Sequence, residues 1–381
     1  MRRFWVAAVL LAAALAFMVF PAAARAAPSL SASAAVLVEW HSGSVLYEKH
    51  GFQPRHPASL TKIVTALVAV KSGNLADIVE VSVRAGAVPG SGLGIAPGER
   101  FTLDALIWGL LLESGNDASI AIAEHVGGSV DAFAVMMNTV ARELGAWSSQ
   151  FKNPHGLTQT GHLTSPYDLA LIAREFLKYP YLNRVVRSPT GVMRREHPRG
   201  ELQINNTNRL LLSFSGADGV KTGTTAAAGE CLIASATRDG MRLIAVVMDS
   251  QDRYRDAQAL LSYGFSRYRL AWGGQKGQVA RTVLVAGGHP GAVGLVLAGD
   301  LVGVVGPGDE ELWVELDYED RLSAPVARGT PLGTATLWSL ERVVARVPLV
   351  AQGDVAKVTW WTRLLEVCRG LLRAAARRAI G

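Results

Sequence analysis

The sequence has little cysteine, with only Cys231 and Cys368 among its 381 residues. A small domain held together by disulfides needs several cysteines at regular spacing, so that class of protein is excluded. Cys-X-X-Cys and His-Glu-X-X-His, which are typical of metal sites, are also missing. We therefore expect two buried, unpaired thiols, no metal and no cofactor.

Long apolar runs are scarce, and the longest stands at the N terminus. Arg2 and Arg3 precede an apolar run over residues 4–20, and residues 24–26 (Ala-Arg-Ala) offer small side chains for cleavage. This pattern predicts a secretory signal peptide at residues 1–26, cleaved after Ala24 or Ala26. An uncleaved membrane anchor is the alternative, because a run of roughly 17 residues is at the short limit for spanning a bilayer. Both readings place the rest of the chain outside the cytoplasm, at the outer face of the cytoplasmic membrane.

The net charge of +6 is concentrated at the two ends of the chain. Residues 1–26 contain three Arg and no acid, and residues 356–381 contain six Lys or Arg and one Glu. The part between them therefore carries about −2. A nucleic-acid-binding protein needs a basic face on its folded body, so we expect no nucleic-acid partner.

The pattern of apolar and polar residues predicts an α+β protein. Residues 35–40 and 44–48 have the pattern of a β-hairpin, and a buried helix follows at residues 60–70. Residues 86–98 contain five Gly and two Pro, which is typical of a loop. Further helices are predicted at 102–112, 118–126, 130–144 and 256–263, and further strands from 218, at 231–237 and at 242–249. Strands at both ends with helices between them predict one domain, over residues 27–270, whose first hairpin joins its last strands.

The remaining residues divide into two segments. Residues 271–276 contain two Gly and a Gln and predict a boundary, and the short Val-rich runs beyond it predict a small β-rich domain over residues 271–352. Residues 353–381 are predicted to form an amphipathic helix, whose part from residue 360 places its apolar side chains on one face and its arginines elsewhere. We expect residues 360–381 to bind an anionic membrane surface, with docking onto the protein itself as the alternative.

Ser59-Leu60-Thr61-Lys62 lies at the start of the first predicted helix. A serine and a lysine three residues apart share one face of a helix, so the amine can reach the hydroxyl. For Lys62 to accept a proton near neutral pH, its pKa must be lowered, and burial beside a second cation would lower it. We expect Lys221 to be that cation.

Two more motifs follow in order. In Ser114-Gly115-Asn116, at the end of a predicted helix, we expect Asn116 to orient a substrate amide and Ser114 to pass a proton to a leaving amine. Lys221-Thr222-Gly223-Thr224 is predicted on an edge strand, where an extended substrate can add by backbone hydrogen bonds. We expect the glycine to keep that edge open.

The same short patterns also occur elsewhere in the chain. Ser149 and Lys152 repeat the Ser-X-X-Lys spacing, but Asn153-Pro154 discourages a helix there. Residues 71–74 (Lys-Ser-Gly-Asn) repeat both other motifs but are predicted to cap the first helix. Only the set beginning at Ser59 has a suitable local structure.

The three motifs resemble those of the penicillin-binding-protein and serine β-lactamase superfamily. The closer resemblance is to the low-molecular-weight D-alanyl-D-alanine carboxypeptidases of the peptidase S11 family. It covers residues 35 to about 265 and includes, besides the motifs, residues 153–157 (Asn-Pro-His-Gly-Leu), 218–220 (Asp-Gly-Val) and 263–265 (Tyr-Gly-Phe). The resemblance implies a transpeptidase-like domain, an antiparallel sheet with a helical lobe, followed by a small all-β domain.

The resemblance also implies a reaction and the roles of the site residues. Ser59 would be acylated by the penultimate D-alanine carbonyl of a cell-wall stem peptide, with Lys62 as base, and penicillins would acylate the same serine. The N–H groups of Ser59 and Thr224 would form the oxyanion hole. Lys221, together with Arg253, would bind the terminal carboxylate of the substrate. Thr222 and Gly223 would belong to the same substrate-binding site. The family often has a residue other than threonine at the position of Thr224, so the resemblance does not fix the fine substrate specificity.

Three other functions remain as alternatives. A class A β-lactamase needs a glutamate for deacylation, and Glu201 begins a similar motif, but at the wrong distance from Lys221. A Ser-His-Asp hydrolase is disfavoured because no Gly-X-Ser-X-Gly occurs, and His155 is interpreted as a structural loop residue. A non-catalytic wall-binding protein would lack a catalytic residue, and none is missing.

Overall fold

The computed structural model of the protein describes residues 27–309 and 311–359. These residues form two compact bodies, which divide between Arg267 and Tyr268. The sequence predicted the boundary a few residues later, at 271–276. Residues 269–274 instead form a strand of the second body, which pairs with Leu301–Val305 in spite of its two glycines.

The first body alternates short strands and helices. Its strands, in chain order, are β1 (Ala34–Glu39), β2 (Val45–Lys49), β3 (Ile78–Glu80), β4 (Arg100–Thr102), β5 (Thr190–His197), β6 (Gly200–Asn205), β7 (Ala217–Thr225), β8 (Gly229–Arg238) and β9 (Met241–Ser250). Its helices are α1 (Lys62–Ser72), α2 (Val83–Gly86), α3 (Leu103–Leu112), α4 (Asn116–Gly127), α5 (Val130–Glu143), α6 (Pro166–Phe176), α7 (Pro180–Arg187), α8 (Leu210–Ser213) and α9 (Arg253–Arg267). A 3-10 turn, Ala58–Thr61, leads directly into α1.

A five-stranded antiparallel sheet forms the base of this body, in the order β2-β1-β9-β8-β7. Strand β1 pairs with β9 in a register that places Val36 opposite Val246, which confirms that the first hairpin joins the last strands. Every residue of β1 is buried, as is usual for a central strand covered on both faces. Strand β7 lies at the edge of the sheet, where the sequence predicted it.

The helical lobe is built around α1. The residues of α1 from Lys62 to Ala69 are all buried, so the helix runs through the interior and shows no polar face there. Side-chain caps fix the starts of the helices around it: Thr102 Oγ1 accepts a hydrogen bond from the N–H of Ala105 (3.1 Å), and Ser129 and Ser165 cap α5 and α6 in the same way. Gly73 ends α1, which confirms that residues 71–74 are a helix cap.

A second, four-stranded sheet was not predicted from the sequence. It has the order β3-β4-β5-β6, and the hairpin β5–β6 contributes half of it. Strand β5 carries Arg194, Arg195, Glu196 and His197 in succession and has only Met193 buried, so its alternation of apolar and polar residues is weak. Helices α6 and α7 were also missed, although Ser165-Pro166 and Tyr179-Pro180 are typical helix starts.

The second body is built of strands alone among the described residues. They are β10 (Arg269–Gly274), β11 (Val279–Ala286), β12 (Gly288–His289), β13 (Ala292–Leu297), β14 (Leu301–Val305), β15 (Leu312–Tyr318), β16 (Arg321–Ser323), β17 (Pro331–Ser339), β18 (Arg342–Ala351) and β19 (Ala356–Lys357). Six of them form a sheet in the order β15-β17-β18-β13-β11-β16 around an apolar core that includes Leu295, Leu337 and Leu349. The predicted fold class, an α+β domain followed by an all-β domain, is confirmed.

The two terminal predictions concern mostly residues outside the described part of the chain. The signal peptide (1–26) and the membrane-binding segment (360–381) both lie there. Residues 353–359, which the sequence assigned to the C-terminal helix, are not helical: Val355 is buried in the β core, and β19 pairs with β12. Within residues 27–309 and 311–359, no single helix has the length and apolarity to cross a membrane. Helices α4 and α5 have that length and apolarity only when they are taken together, and the pair is bent by 85°.

Candidate active site

Ser59 lies in the 3-10 turn before α1, slightly before the regular helix in which the sequence placed it. The turn packs closely against β7: a Cβ on Gly223 would lie 3.0 Å from the backbone nitrogen of Ser59 and 3.1 Å from that of Leu60. Gly223 therefore allows the close approach of the strand to the Ser59 turn, a role that was not predicted from the sequence. Gly156 contacts the same turn from another direction, since a Cβ there would overlap the carbonyl oxygen of Ala58.

Lys62 is completely buried and its amine is surrounded by oxygen atoms. Nζ donates to Asn116 Oδ1 (2.7 Å) and to the carbonyl oxygen of His155 (2.9 Å), and it lies 2.9 Å from Ser59 Oγ. A neutral amine has two N–H groups and one lone pair. Because the two N–H groups are satisfied by Asn116 and His155, the lone pair is left to face the Ser59 hydroxyl.

The surroundings of Lys62 favour this neutral form. Burial lowers the pKa of Lys62 well below its usual value of 10.5, the charge of Lys221 lowers it further, and Asp117 opposes the change. The pKa of Lys221 is itself lowered, to about 7, by burial and by Arg253. Lys221 is thus a charged neighbour that lowers the pKa of Lys62, in the role that we expected for it from the sequence.

Asn116 and Ser114 stand at the start of α4. The carboxamide of Asn116 accepts from Lys62 and donates through Nδ2 to the carbonyl oxygen of Pro89 (2.7 Å), so both of its ends already have protein partners. Ser114 adopts a left-handed backbone conformation (φ 69°), which costs a non-glycine residue on the order of 1–3 kcal/mol. Its hydroxyl is buried and has no hydrogen-bond partner among the described residues. It is thus available for a proton transfer.

The remaining predicted residues follow one another along β7. Lys221 Nζ donates to the carbonyl oxygen of Thr222 (3.1 Å), and the Thr222 hydroxyl bonds to that of Thr207 (2.7 Å). Thr224 is exposed, and its Oγ1 accepts from Arg253 (2.6 Å). Beside this edge is an open cavity of about 490 Å³, lined by Thr207, Arg209, Thr222, Thr224, Glu230, Gln251, Asp252, Arg253 and Tyr254.

Asp117 is a buried site residue that the sequence reasoning missed. Its Oδ2 accepts from the N–H groups of Leu93 (2.7 Å) and Gly94 (3.0 Å), and its Oδ1 from that of Ala118 (2.8 Å). The carboxylate therefore fastens the glycine-rich loop to the start of α4. In the sequence it resembled an ordinary acidic residue in the first turn of a helix.

The two histidines next to the site, the buried His162 and the half-buried His155, are structural. The His162 Nδ1 accepts from the N–H of Lys152 (2.9 Å), so the proton lies on Nε2, which bonds to Thr61 Oγ1 (2.9 Å) beneath the Ser59 turn. The His155 Nδ1 accepts from the N–H of Leu157 (3.1 Å). Burial, with the charge of Lys62, lowers the pKa of His155 to about 3. These contacts support the interpretation of His155 as a structural loop residue.

The other candidate motifs have structural roles or lie at the surface. Ser149 Oγ donates to Asp168 Oδ2 (2.7 Å) and bonds to Thr164 (2.7 Å), so it is not paired with Lys152. Glu201 is exposed on β6, where it pairs with Arg194. Cys231 is a buried free thiol, as expected; Cys368 lies outside the described residues. In the described part of the chain, no group of three or more His, Cys, Asp or Glu side chains could hold a metal ion.

Two family models match the chain. Residues 21–252 match the D-alanyl-D-alanine carboxypeptidase family, and residues 274–357 match the C-terminal domain of penicillin-binding protein 5. The first match alone covers more than half of the sequence.

Individual relatives are similar over most of their length. The D-alanyl-D-alanine carboxypeptidase DacF of Bacillus subtilis (strain 168) is 37% identical over 343 residues, which cover 87% of this chain and 88% of the relative. DacC of Escherichia coli (strain K12) is 32% identical and covers 89% of this chain and 88% of its own. Penicillin-binding protein 5 from Haemophilus influenzae has a similar structure (TM-score 0.76, 28% identity, 87% of this chain and 99% of that chain). The Streptomyces K15 DD-transpeptidase aligns with 63% of this chain and 98% of its own (TM-score 0.61, 31% identity).

The buried His162 predicts that stability depends on pH. Burial, followed by the charges of His56 and Lys152, lowers its pKa from 6.5 to about 4. Between these pH values the unfolded chain binds a proton that the folded protein does not, so the free energy of unfolding falls as the pH is lowered through this window. The full shift corresponds to about 3 kcal/mol. His162→Gln should lose this part of the pH dependence in urea unfolding measured between pH 6.5 and pH 4.

His197→Gln is the matched control, because His197 is exposed on β5. It should keep the wild-type slope of unfolding free energy against pH. Equal slopes for His162→Gln and the wild type would contradict the assignment of His162 as a buried neutral imidazole.

Proposed function

The chain belongs to the D-alanyl-D-alanine carboxypeptidase family and is a serine hydrolase of that family, and we propose that Ser59 is its nucleophile. The observation that carries this proposal is the contact between Lys62 and Ser59. A fully buried amine with a lowered pKa lies 2.9 Å from the Ser59 hydroxyl, and its lone pair faces that hydroxyl. This is the geometry that a general base and its nucleophile require.

In the acylation step, Ser59 Oγ attacks the carbonyl carbon of the penultimate D-alanine while its proton passes to Lys62 Nζ. The oxyanion that forms accepts hydrogen bonds from the N–H groups of Ser59 and Thr224. The C–N bond of the tetrahedral intermediate then breaks, and the leaving amine of D-alanine takes a proton from Ser114 Oγ. Lys62 returns its proton to Ser114 and is neutral again. The unpartnered hydroxyl of Ser114 supports this relay.

In deacylation, water attacks the ester carbonyl and passes a proton to Lys62. The ester C–O bond breaks and Ser59 takes the proton back. Asn116 acts mainly as a positioning residue in this proposal, because its carboxamide already holds the Lys62 amine. Its predicted contact with the substrate amide would have to replace one of these protein contacts.

The substrate is proposed to lie along β7. Lys221, Thr222, Gly223 and Thr224 form the edge, with Arg253 behind it, and the chain of the substrate would add to this edge by backbone hydrogen bonds. The terminal carboxylate would bind beside Thr224, where Lys221 and Arg253 supply positive charge. Penicillins would enter the same site and acylate Ser59.

We propose that the reaction takes place at the cell wall, on stem peptides that end in D-alanyl-D-alanine, and membership of the D-alanyl-D-alanine carboxypeptidase family supports this. We propose further that the protein is exported by a signal peptide at residues 1–26 and held at the outer face of the cytoplasmic membrane by residues 360–381. The support is the sequence: a basic start followed by an apolar run, and an amphipathic, arginine-rich end.

Acylation by benzylpenicillin tests the nucleophile. The wild type should gain the mass of one penicilloyl group in intact-protein mass spectrometry and should release D-alanine from a pentapeptide ending in D-alanyl-D-alanine. Ser59→Ala should do neither, because the attacking oxygen is gone. Ser149→Ala, at the second Ser-X-X-Lys of the chain, is the control and should still form the adduct.

Two outcomes would overturn this proposal. A Ser59→Ala protein that still forms the adduct would place the nucleophile elsewhere. Turnover of benzylpenicillin at many cycles per second, instead of slow release of a stoichiometric adduct, would favour a β-lactamase.

Deletion of residues 360–381 tests the membrane proposal. The cut falls after Thr359, because a cut after Val350 would remove β19 and the buried Val355. The shortened protein should no longer sediment with vesicles that contain anionic lipid, and its penicillin acylation rate should stay unchanged. Retention of vesicle binding by the shortened protein would show that the segment is not the anchor.

A further inference from the structure

Arg253 is held firmly behind the edge of β7. Its Nη1 donates to the carbonyl oxygens of Gly223 (2.8 Å) and Cys231 (3.1 Å), and its Nη2 donates to Thr224 Oγ1 (2.6 Å). Its Nε donates to Glu230 Oε2 (3.1 Å). A guanidinium has five N–H groups, so these contacts leave one N–H free. Arg253 therefore has little freedom to turn toward a substrate.

Glu230 lies on β8, beside Thr224 of β7 and in contact with Arg253 of α9. In the register of β7 and β8 it stands directly opposite Thr224. Its carboxylate accepts from both the side chain and the backbone N–H of Arg253, and 43% of its side chain remains exposed. The hydrogen bond from Arg253 lowers the pKa of Glu230, so the carboxylate is charged at neutral pH.

The other charged groups near this edge are held by hydrogen bonds, are exposed in the lining of the cavity, or are buried. Asp252 accepts hydrogen bonds from the backbone N–H groups of Tyr254 (3.2 Å) and Arg255 (3.0 Å), at the start of α9. Arg209 lines the cavity and is exposed. Lys221 is buried and only partly charged near neutral pH. Arg253 is thus the permanent cation in direct contact with Thr224, and Glu230 is its counter-charge.

We propose that Glu230 is a specificity-determining residue: it holds Arg253 against Thr224 and reduces the positive charge that the site presents to the terminal carboxylate of the substrate. The inference rests on the proposed function, in which that carboxylate binds beside Thr224.

The effect would reach the substrate through the Thr224 hydroxyl. Because Thr224 Oγ1 accepts from Arg253, its own proton is free to point outward and to donate to a carboxylate. The positive charge of Arg253 polarises this hydroxyl, and the negative charge of Glu230 opposes that polarisation. One unit charge a few ångströms away, in a partly solvated site, changes the affinity for a charged group by roughly three- to tenfold.

The test compares two peptides that are identical except for a terminal carboxylate or a terminal carboxamide. For each, kcat/KM is measured from release of D-alanine or of D-alaninamide by the full-length wild type and by Glu230→Gln. The glutamine still offers an oxygen to Arg253 but has no charge. The ratio of kcat/KM for the acid to that for the amide should rise roughly three- to tenfold in Glu230→Gln, through a lower KM for the acid, and added salt should reduce the increase.

Glu201→Gln is the control, because it removes one negative charge from the exposed pair with Arg194 on β6. Its ratio should equal that of the wild type. If the wild type acylates and releases D-alanine but Glu230→Gln leaves the ratio unchanged, or slows both peptides equally, the inference is overturned and the proposed function stands. If the wild type neither acylates nor releases D-alanine, the proposed function fails and takes the inference with it.

Discussion

The site depends on the burial of one lysine amine among three oxygen atoms. Each oxygen comes from a different part of the chain: the turn of Ser59, the start of α4 at Asn116, and the loop that contains His155. A buried ammonium is costly, so the fold itself favours the neutral amine, and the neighbouring Lys221 adds to that preference. The arrangement of the helical lobe around α1 is therefore also the arrangement that prepares the proposed base.

In our proposal, the edge of the sheet places the substrate beside this base. Gly223 allows β7 to approach the Ser59 turn, and Arg253 holds the far end of the strand through Gly223 and Thr224. Glu230 then adjusts the charge at the end of the same edge in our proposal. The position of β7 and the charge at its edge thus depend on the same few contacts, those of Gly223, Arg253 and Glu230.

The sequence alone predicted the elements that carry strong local patterns. The buried α1 and the strands β1, β8 and β9 have apolar runs with clear ends, and each was predicted within a few residues of its observed bounds. The hairpin β5–β6 was missed because its residues are mostly charged and exposed. Asp117 and Glu230 were missed because their roles come from partners distant in the sequence, Leu93 and Arg253, which no local pattern indicates.

The protonation state of Lys62 tests the account most directly. In protein labelled with ¹³C at the lysine ε-carbons, the Lys62 resonance can be assigned by its loss in Lys62→Arg, and its titration can be compared with the pH dependence of penicillin acylation. The account predicts a pKa well below 10.5 and an acylation rate that falls as the pH is lowered through that same value. A Lys62 amine that titrates near 10.5, while acylation proceeds at full rate at neutral pH, would contradict it.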